Sequence, residues 1–229
     1  MHANKTLSRT AGCLYLFVIV GILFGEFFVR EKLIVWDDAT LTAQNILAHE
    51  GLFRLGFVID LTAQASFLFM ILIVYQLFKP VNKLYALAMV SLVVITVAIH
   101  SLNFLNEYAA MLIYKGSAGK LSAFTEEQLH ALALFFFEMF TTGWDINYVF
   151  FSLWLLPLGY LVLKSGSDRF SSILGWWLMI TCFALLFNFF TRFLDPGFYR
   201  SEIFWITGVL DSSEIVFCLW LLFKGVNIR

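Results

Sequence analysis

Glu26, Asp60, Glu107, Asp145, Asp211 and Glu214 are set into or at the edges of long apolar runs, together with Gln64, His100, Asn103, Asn188 and Arg192. Charged groups at bilayer depth are costly, and they normally mark a water-filled or ligand-filled interior. Their spacing is helical. Thr96, His100, Asn103 and Glu107 fall at i, i+4, i+7 and i+11, which is one helix face, and Thr207, Asp211, Glu214 and Cys218 repeat the interval. Thr181, Leu185, Asn188 and Arg192 form a third series, Asp60 and Gln64 lie one turn apart, and Glu138, Thr141, Asp145 and Ser152 form a comparable row. Lipid satisfies none of these groups, so each stripe is expected to face other helices.

The chemistry such stripes support is the binding of a cation or a proton. Acids outnumber the arginines near them, Arg30, Arg54 and Arg192, so the surplus must be protonated, hydrated or matched by a bound cation. Glu26 and Arg30 read as an i,i+4 ion pair at a helix end. Asp211 and Glu214 are closer to a site, because like charges on one face favour a shared proton or a cation. His100 reads as an interhelical hydrogen-bond partner of Glu107 or Glu214, or as a metal ligand. His49 and His130 read as solvated loop residues. The expected pocket comprises Asp60, Gln64, His100, Asn103, Glu107, Asp145, Asn188, Arg192, Asp211 and Glu214.

The elements that must position these residues follow from composition. The chain has 229 residues, of which 61% are hydrophobic and 14% charged, against about 25% charged in a soluble domain. Spanning a bilayer takes about 20 apolar residues. Six stretches qualify: Leu7–Val29, Arg54–Phe78, Leu84–Tyr114, Thr142–Leu163, Ser171–Thr191 and Ile203–Phe223. The expected fold is all-α, an integral membrane bundle of six transmembrane helices with short amphipathic outer helices. With no repeat or linker, residues 1–229 read as a single domain. The first stretch is expected to be a retained helix, since it is too long for a signal core and lacks an A-x-A site. Gly21 and Gly25 are a small-xxx-small pair suited to close helix packing.

An even number of spans puts both termini on one side. Basic residues are nearly balanced, but the turns Lys79-Pro80-Val81-Asn82-Lys83 and Lys164 to Arg169 are very short and basic, which points to the cytoplasm. The opposite connections are longer and mix Lys120 and Arg200 with acids. Asp37 and Asp38 are positioned to cap a short helix running to about Glu50, and Thr125-Glu126-Glu127-Gln128 fits a capping box. The helix that follows is too long for one crossing, and Thr141-Thr142-Gly143 is the expected break, leaving the part before it on the surface or re-entrant. Trp36, Trp144, Trp205, Tyr114 and Tyr199 suit an outer aromatic belt and Trp176, Trp177 and Trp220 an inner one.

Several chemistries are excluded. Only one histidine lies in a span, so bis-histidine haem has no ligands. There is no mid-membrane lysine for a retinal Schiff base, and no G-x-S-x-G, H-E-x-x-H, C-x-x-C or phosphate loop. Cys13, Cys182 and Cys218 read as packing residues. A net charge of −1 offers no nucleic-acid footprint. No cofactor is identified; a divalent cation on carboxylate oxygens stays open. The partners expected are membrane lipids and a small ligand or cation, with oligomers left open.

Arg9-Thr-Ala-Gly-Cys-Leu-Tyr-Leu16, Glu26-Phe-Phe-Val-Arg30, Asn45-Ile-Leu-Ala-His-Glu-Gly-Leu-Phe-Arg54, Tyr75-Gln-Leu-Phe-Lys-Pro-Val-Asn82, Gln128-Leu-His-Ala-Leu-Ala133 and Ser213-Glu-Ile-Val-Phe-Cys-Leu-Trp-Leu-Leu-Phe-Lys-Gly-Val226 resemble a bacterial multi-pass membrane family, domain of unknown function 4386. The resemblance covers almost the whole chain. It implies a bacterial inner-membrane protein and supplies no activity or catalytic residue. Three functional classes remain. One is a sensor or transporter-like protein with an acidic ligand pocket in the outer half of the bundle. The second is a structural or accessory subunit whose stripes fasten helices. The third is a carboxylate/His metal-dependent intramembrane enzyme.

Overall fold

The computed structural model describes residues 2–115, 121–166, 168–194 and 201–226, with backbone only for residues 2–3 and 201–205. Lys120, Tyr199 and Arg200 therefore lie outside the described residues, as does the side chain of Trp205. The regular elements among the described residues are all helices, with no strand. Six helices are long and apolar enough to cross a membrane: Asn4–Leu33, Glu50–Phe78, Lys83–Tyr114, Glu126–Ser165, Arg169–Leu194 and Ile206–Phe223. They are called the first to sixth spans below.

Local sequence explains the connections. Asp38 Oδ1 accepts from the Leu41 N–H at 2.8 Å and starts a short helix, Ala39–Ala48. The Lys79 to Lys83 turn is closed by Val81 and Asn82 N–H groups on the Phe78 carbonyl, and Asn82 Oδ1 caps the third span at Leu84 N, 3.0 Å away. Before the fourth span, Thr125 N–H donates to Gln128 Oε1 at 2.9 Å and Gln128 N–H returns to Thr125 Oγ1 at 3.3 Å. That is the expected capping box.

Three spans are irregular. The first widens into a π-helical turn over Phe24–Arg30, with the Glu31 N–H bonded to the Glu26 carbonyl five residues back. Such turns cluster at functional sites. The fourth runs unbroken through Thr141-Thr142-Gly143, contrary to expectation, and is interrupted at Trp154 between Glu126–Leu153 and Leu155–Ser165. Pro157 lacks the N–H that would close the turn onto Leu153. Gly143 serves a different purpose: the Asn103 amide occupies the space its Cβ would need. The sixth is interrupted at Ser212, between Ser201–Asp211 and Ser213–Phe223.

Contacts gather the chain into two compact units that interleave in sequence. One comprises Met1–Phe17, Ala65–Val97 and Asp145–Arg229, the other Val18–Gln64 and Ala98–Trp144. Lipid tails are as apolar as leucine, so helices associate here through close packing rather than escape from water. In the first unit, Gly159 and Gly175 bring the fourth and fifth spans backbone to backbone, and Cys218 Sγ rests 3.4 Å from the Gly12 carbonyl. Gly225 adopts φ +74°, the left-handed conformation that glycine tolerates, and turns Val226 N–H onto Ser8 Oγ at 3.1 Å. Lys224 and Ser171 hold the Asp168 carboxyl at about 2, below the usual carboxylate range, in the connection before the fifth span.

In the second unit, Gly21 packs against Ile59 and Ala63, and Gly25 against Asp60, so the glycine pair does admit the second span. Its core joins Val29, Leu33, Ile46, Phe53, Met111 and Phe137. Several aromatic residues differ from expectation. Trp176 and Trp36 are exposed as an interfacial belt requires, whereas Tyr114 is 8% exposed and Trp220 4%. Trp220 stacks on Phe78 with centroids 6.5 Å apart, and Tyr114 meets the rings of Phe137 and His130. His130 is likewise packed rather than solvated, with its side chain 14% exposed.

Candidate functional site

In the second unit the charged residues converge on Arg30. Its Nε donates to Glu26 Oε2 at 2.9 Å, and its Nη1 donates to Asp60 Oδ2 at 2.8 Å and Glu107 Oε1 at 3.3 Å. The guanidinium carbon lies 5.2 Å from the Phe140 ring centre, a cation–π distance. The expected Glu26–Arg30 pair is therefore one arm of a larger network. The π-helical turn and Gly25 make it fit, because a Cβ at Gly25 would sit 2.5 Å from Asp60 Oδ2. Asp60 and Glu107 side chains are 3% and 2% exposed, while Glu26 is 51% exposed. Two buried carboxylates thus share one guanidinium nitrogen, and Glu107 Oε2 has no partner. An arginine stays charged under all ordinary conditions, so the buried trio carries one excess negative charge unless a proton or cation is added.

The residues around this network are partly satisfied. Asn103 Nδ2 donates to the Phe140 carbonyl at 2.7 Å, and Gln64, one turn beyond Asp60, has a buried Oε1 without a donor. His100 is packed as an aromatic, with ring centres 3.9 Å from Trp144 and 4.7 Å from Phe104. Its buried Nδ1 has no hydrogen-bond partner. Trp144, partly exposed, meets this histidine with one part of its ring system. Arg54 pairs with Glu50 at 2.5 Å, away from these carboxylates.

The other expected residues lie in the first unit. Asp145 Oδ1 accepts from Arg192 Nη1 at 2.9 Å, and Asn188 Nδ2 donates to Thr207 Oγ1 at 3.2 Å. Glu214 is bonded by the Tyr15 hydroxyl, which donates to Oε2. Asp211 is within electrostatic reach of both. The ten residues thus form two sets, Asp60, Gln64, His100, Asn103 and Glu107 in one unit and Asp145, Asn188, Arg192, Asp211 and Glu214 in the other. Sequence reasoning missed Tyr15, whose only signal is a phenol in the middle of an apolar run. Among the described residues, no three His, Cys, Asp or Glu side chains converge on a metal-sized point.

The family described as "Domain of unknown function (DUF4386)" matches residues 10–225. The chain belongs to this family. Searches of curated proteins and of solved structures gave no match. With its six apolar helices, this member of the family is a multi-pass membrane protein. The Arg30 network, the Tyr15–Glu214 bond and the Asp145–Arg192 pair all fall inside the matched residues.

Proposed function

We propose that this protein resides in a bacterial inner membrane with both termini cytoplasmic and binds a small cationic ligand at Asp60 and Glu107, as a sensor or transporter. The observation that carries the reading is the sharing of one Arg30 nitrogen by two carboxylates that are almost wholly buried. Arg30 acts as a tethered cation standing where a ligand's ammonium or guanidinium group binds. Its Nε already grips Glu26 at the more exposed end of the network, so swinging toward Glu26 frees both deeper acids. The π-helical turn at Phe24–Arg30 supports this, since such turns are frequent at functional sites.

Purified protein in nanodiscs tests the proposal by thermal shift against monoamines, diamines, guanidines and magnesium. A selective amine or guanidine should raise the melting temperature of the wild type, with about 2.7 kcal/mol expected at a concentration of 100 Kd. Glu107→Gln and Asp60→Asn should abolish the shift while remaining monodisperse. If no cation shifts the wild type, the network is a helix fastener, which its fully engaged Arg30 would also serve. A magnesium shift abolished by Glu107→Gln would instead favour the metal-dependent reading. For orientation, Val81→Cys in a protein lacking its native cysteines should react with an impermeant maleimide in inverted vesicles and not in spheroplasts. The opposite pattern would reverse the assignment of the termini.

A further inference from the structure

We infer that Glu214, with Tyr15 and Asp211, forms a proton-binding site at the interruption of the sixth span, separate in residues and in compact unit from the Arg30 network. The site is built by two helix breaks. Ser212 ends one helical segment just after Asp211, and Glu214 lies in the first turn of the next. The break is held in place: Thr181 Oγ1 lies 2.8 Å from the Leu210 carbonyl and 3.0 Å from Ser213 Oγ. Ser212 itself keeps right-handed helical angles, φ −58° and ψ −11°, so the helix is loosened at this point without being unwound. Trp154, at the break of the fourth span, stands edge-on to Tyr15 with centroids 6.2 Å apart. Phe67 stacks on the same ring at 6.0 Å and Phe217 meets it at 6.1 Å.

A count of donors and acceptors identifies what is missing. Tyr15 has one hydroxyl hydrogen and gives it to Glu214 Oε2. Glu214 Oε1 and Asp211 Oδ1 are buried without a donor, and the indole N–H of Trp154, itself 0% exposed, has no acceptor. Among the described residues no lysine, arginine or histidine pairs with either acid. The titratable groups near the site are Tyr15 from the first span, and Asp211 and Cys218 from the sixth; none of them supplies positive charge. An ionised carboxylate held this way in apolar surroundings costs several kcal/mol. Adding a proton to Oε1 removes that charge and turns an orphan acceptor into a donor, with Asp211 an acceptor three residues away. No bond other than O–H forms or breaks. Tyr15 is 1% exposed, and Phe67 and Trp154 also meet each other at 5.5 Å, so the crowding around the phenol favours a proton over an organic cation.

Two further polar contacts lie at one-turn intervals from the site within the same unit. Thr207 is one turn before Asp211 and accepts from Asn188, and Arg192, one turn beyond Asn188, pairs with Asp145. Arg192 is half exposed and Asp145 a quarter exposed, whereas Glu214 is buried. Rows of polar side chains leading from an exposed end to a buried acid are how membrane proteins relay protons.

Infrared difference spectroscopy of the protein in nanodiscs tests the site. The wild type at neutral pH should show a carboxylic-acid C=O band that disappears reversibly at high pH. Glu214→Gln, a neutral isostere that keeps a partner for Tyr15, should lose that band. Tyr15→Phe should move it to higher frequency by removing a hydrogen bond, which keeps the test informative if Glu214→Gln fails to fold. A spectrum without the band, or a band unmoved by all of these and removed only by Glu107→Gln, would overturn the inference. The last outcome would leave the Arg30 reading standing, whereas a missing ligand shift with an intact Glu214 band would do the reverse.

Discussion

Replacing Arg30 by methionine should destabilise the protein by about 3–5 kcal/mol, the usual cost of stranding a buried charge by removing its partner. Methionine matches much of the arginine stem, so the loss reports the missing guanidinium rather than a cavity. Asp60 and Glu107 would remain buried with no cation, and Phe140 would lose its cation–π partner. The triple variant Arg30→Met, Asp60→Asn, Glu107→Gln should recover most of the stability, because exchanging a whole buried ion cluster for neutral groups is often close to neutral. Arg30→Lys should fall between, since an ammonium cannot present the planar fork that reaches Glu26 and Asp60 together. Glu26→Gln should cost no more than about 1 kcal/mol, as Glu26 is half exposed. Reversible unfolding in mixed micelles reads all four. An Arg30→Met variant within about 0.5 kcal/mol of the wild type would mean that the buried acids are neutralised by something other than this side chain.

Gly159→Leu carries the second large effect, and it comes from packing alone. A Cβ at Gly159 would lie 2.6 Å from the Gly175 carbonyl oxygen, and a Cβ at Gly175 would lie 2.7 Å from the Gly159 carbonyl oxygen. Backbone oxygens cannot move aside as side chains do, so the fourth and fifth spans must separate. Overpacking of this kind costs about 1–3 kcal/mol, occasionally more, and association in lipid has no water exclusion to compensate. Gly159→Ala should already be measurably weaker. Gly51 and Gly208 meet nothing within 4 Å, so alanine there should be neutral or stabilising by up to about 1 kcal/mol. Equal melting temperatures for Gly159→Leu and Gly208→Ala would show that the close approach does not hold the spans together.

The stripes were legible because helical periodicity and the intolerance of lipid for polar groups act on each segment separately. Thr96, His100, Asn103 and Glu107 share a face in the sequence and are all buried in the structure. The helix caps at Asp38 and Thr125 were legible for the same reason, since each bond closes within a few residues. The break in the fourth span was misplaced because Thr141-Thr142-Gly143 has the composition of a hinge. There the glycine answers to Asn103, on another span, and Pro157 interrupts the helix further on. Tyr114 and Trp220 were misread as belt residues because exposure depends on which neighbours a helix meets, and local sequence does not contain that information.

By itself, the sequence determined six apolar helices, a family, and an excess of acid at depth without enough arginine to balance it. Each of these follows from hydropathy, spacing and charge, which are properties of single segments. Only the tertiary structure decided which acids meet which partners. Arg30 joins Glu26, Asp60 and Glu107 although these residues come from three spans, and Tyr15 finds Glu214 from the opposite end of the chain. The reason is geometric. A helix face spans a wide arc, and the side chains that come within hydrogen-bond reach across helices are selected by where glycines permit close approach. Within the two units, Asp60 and Glu107 meet Arg30 and Asp145 meets Arg192, while Asp211 and Glu214 pair with no cation among the described residues.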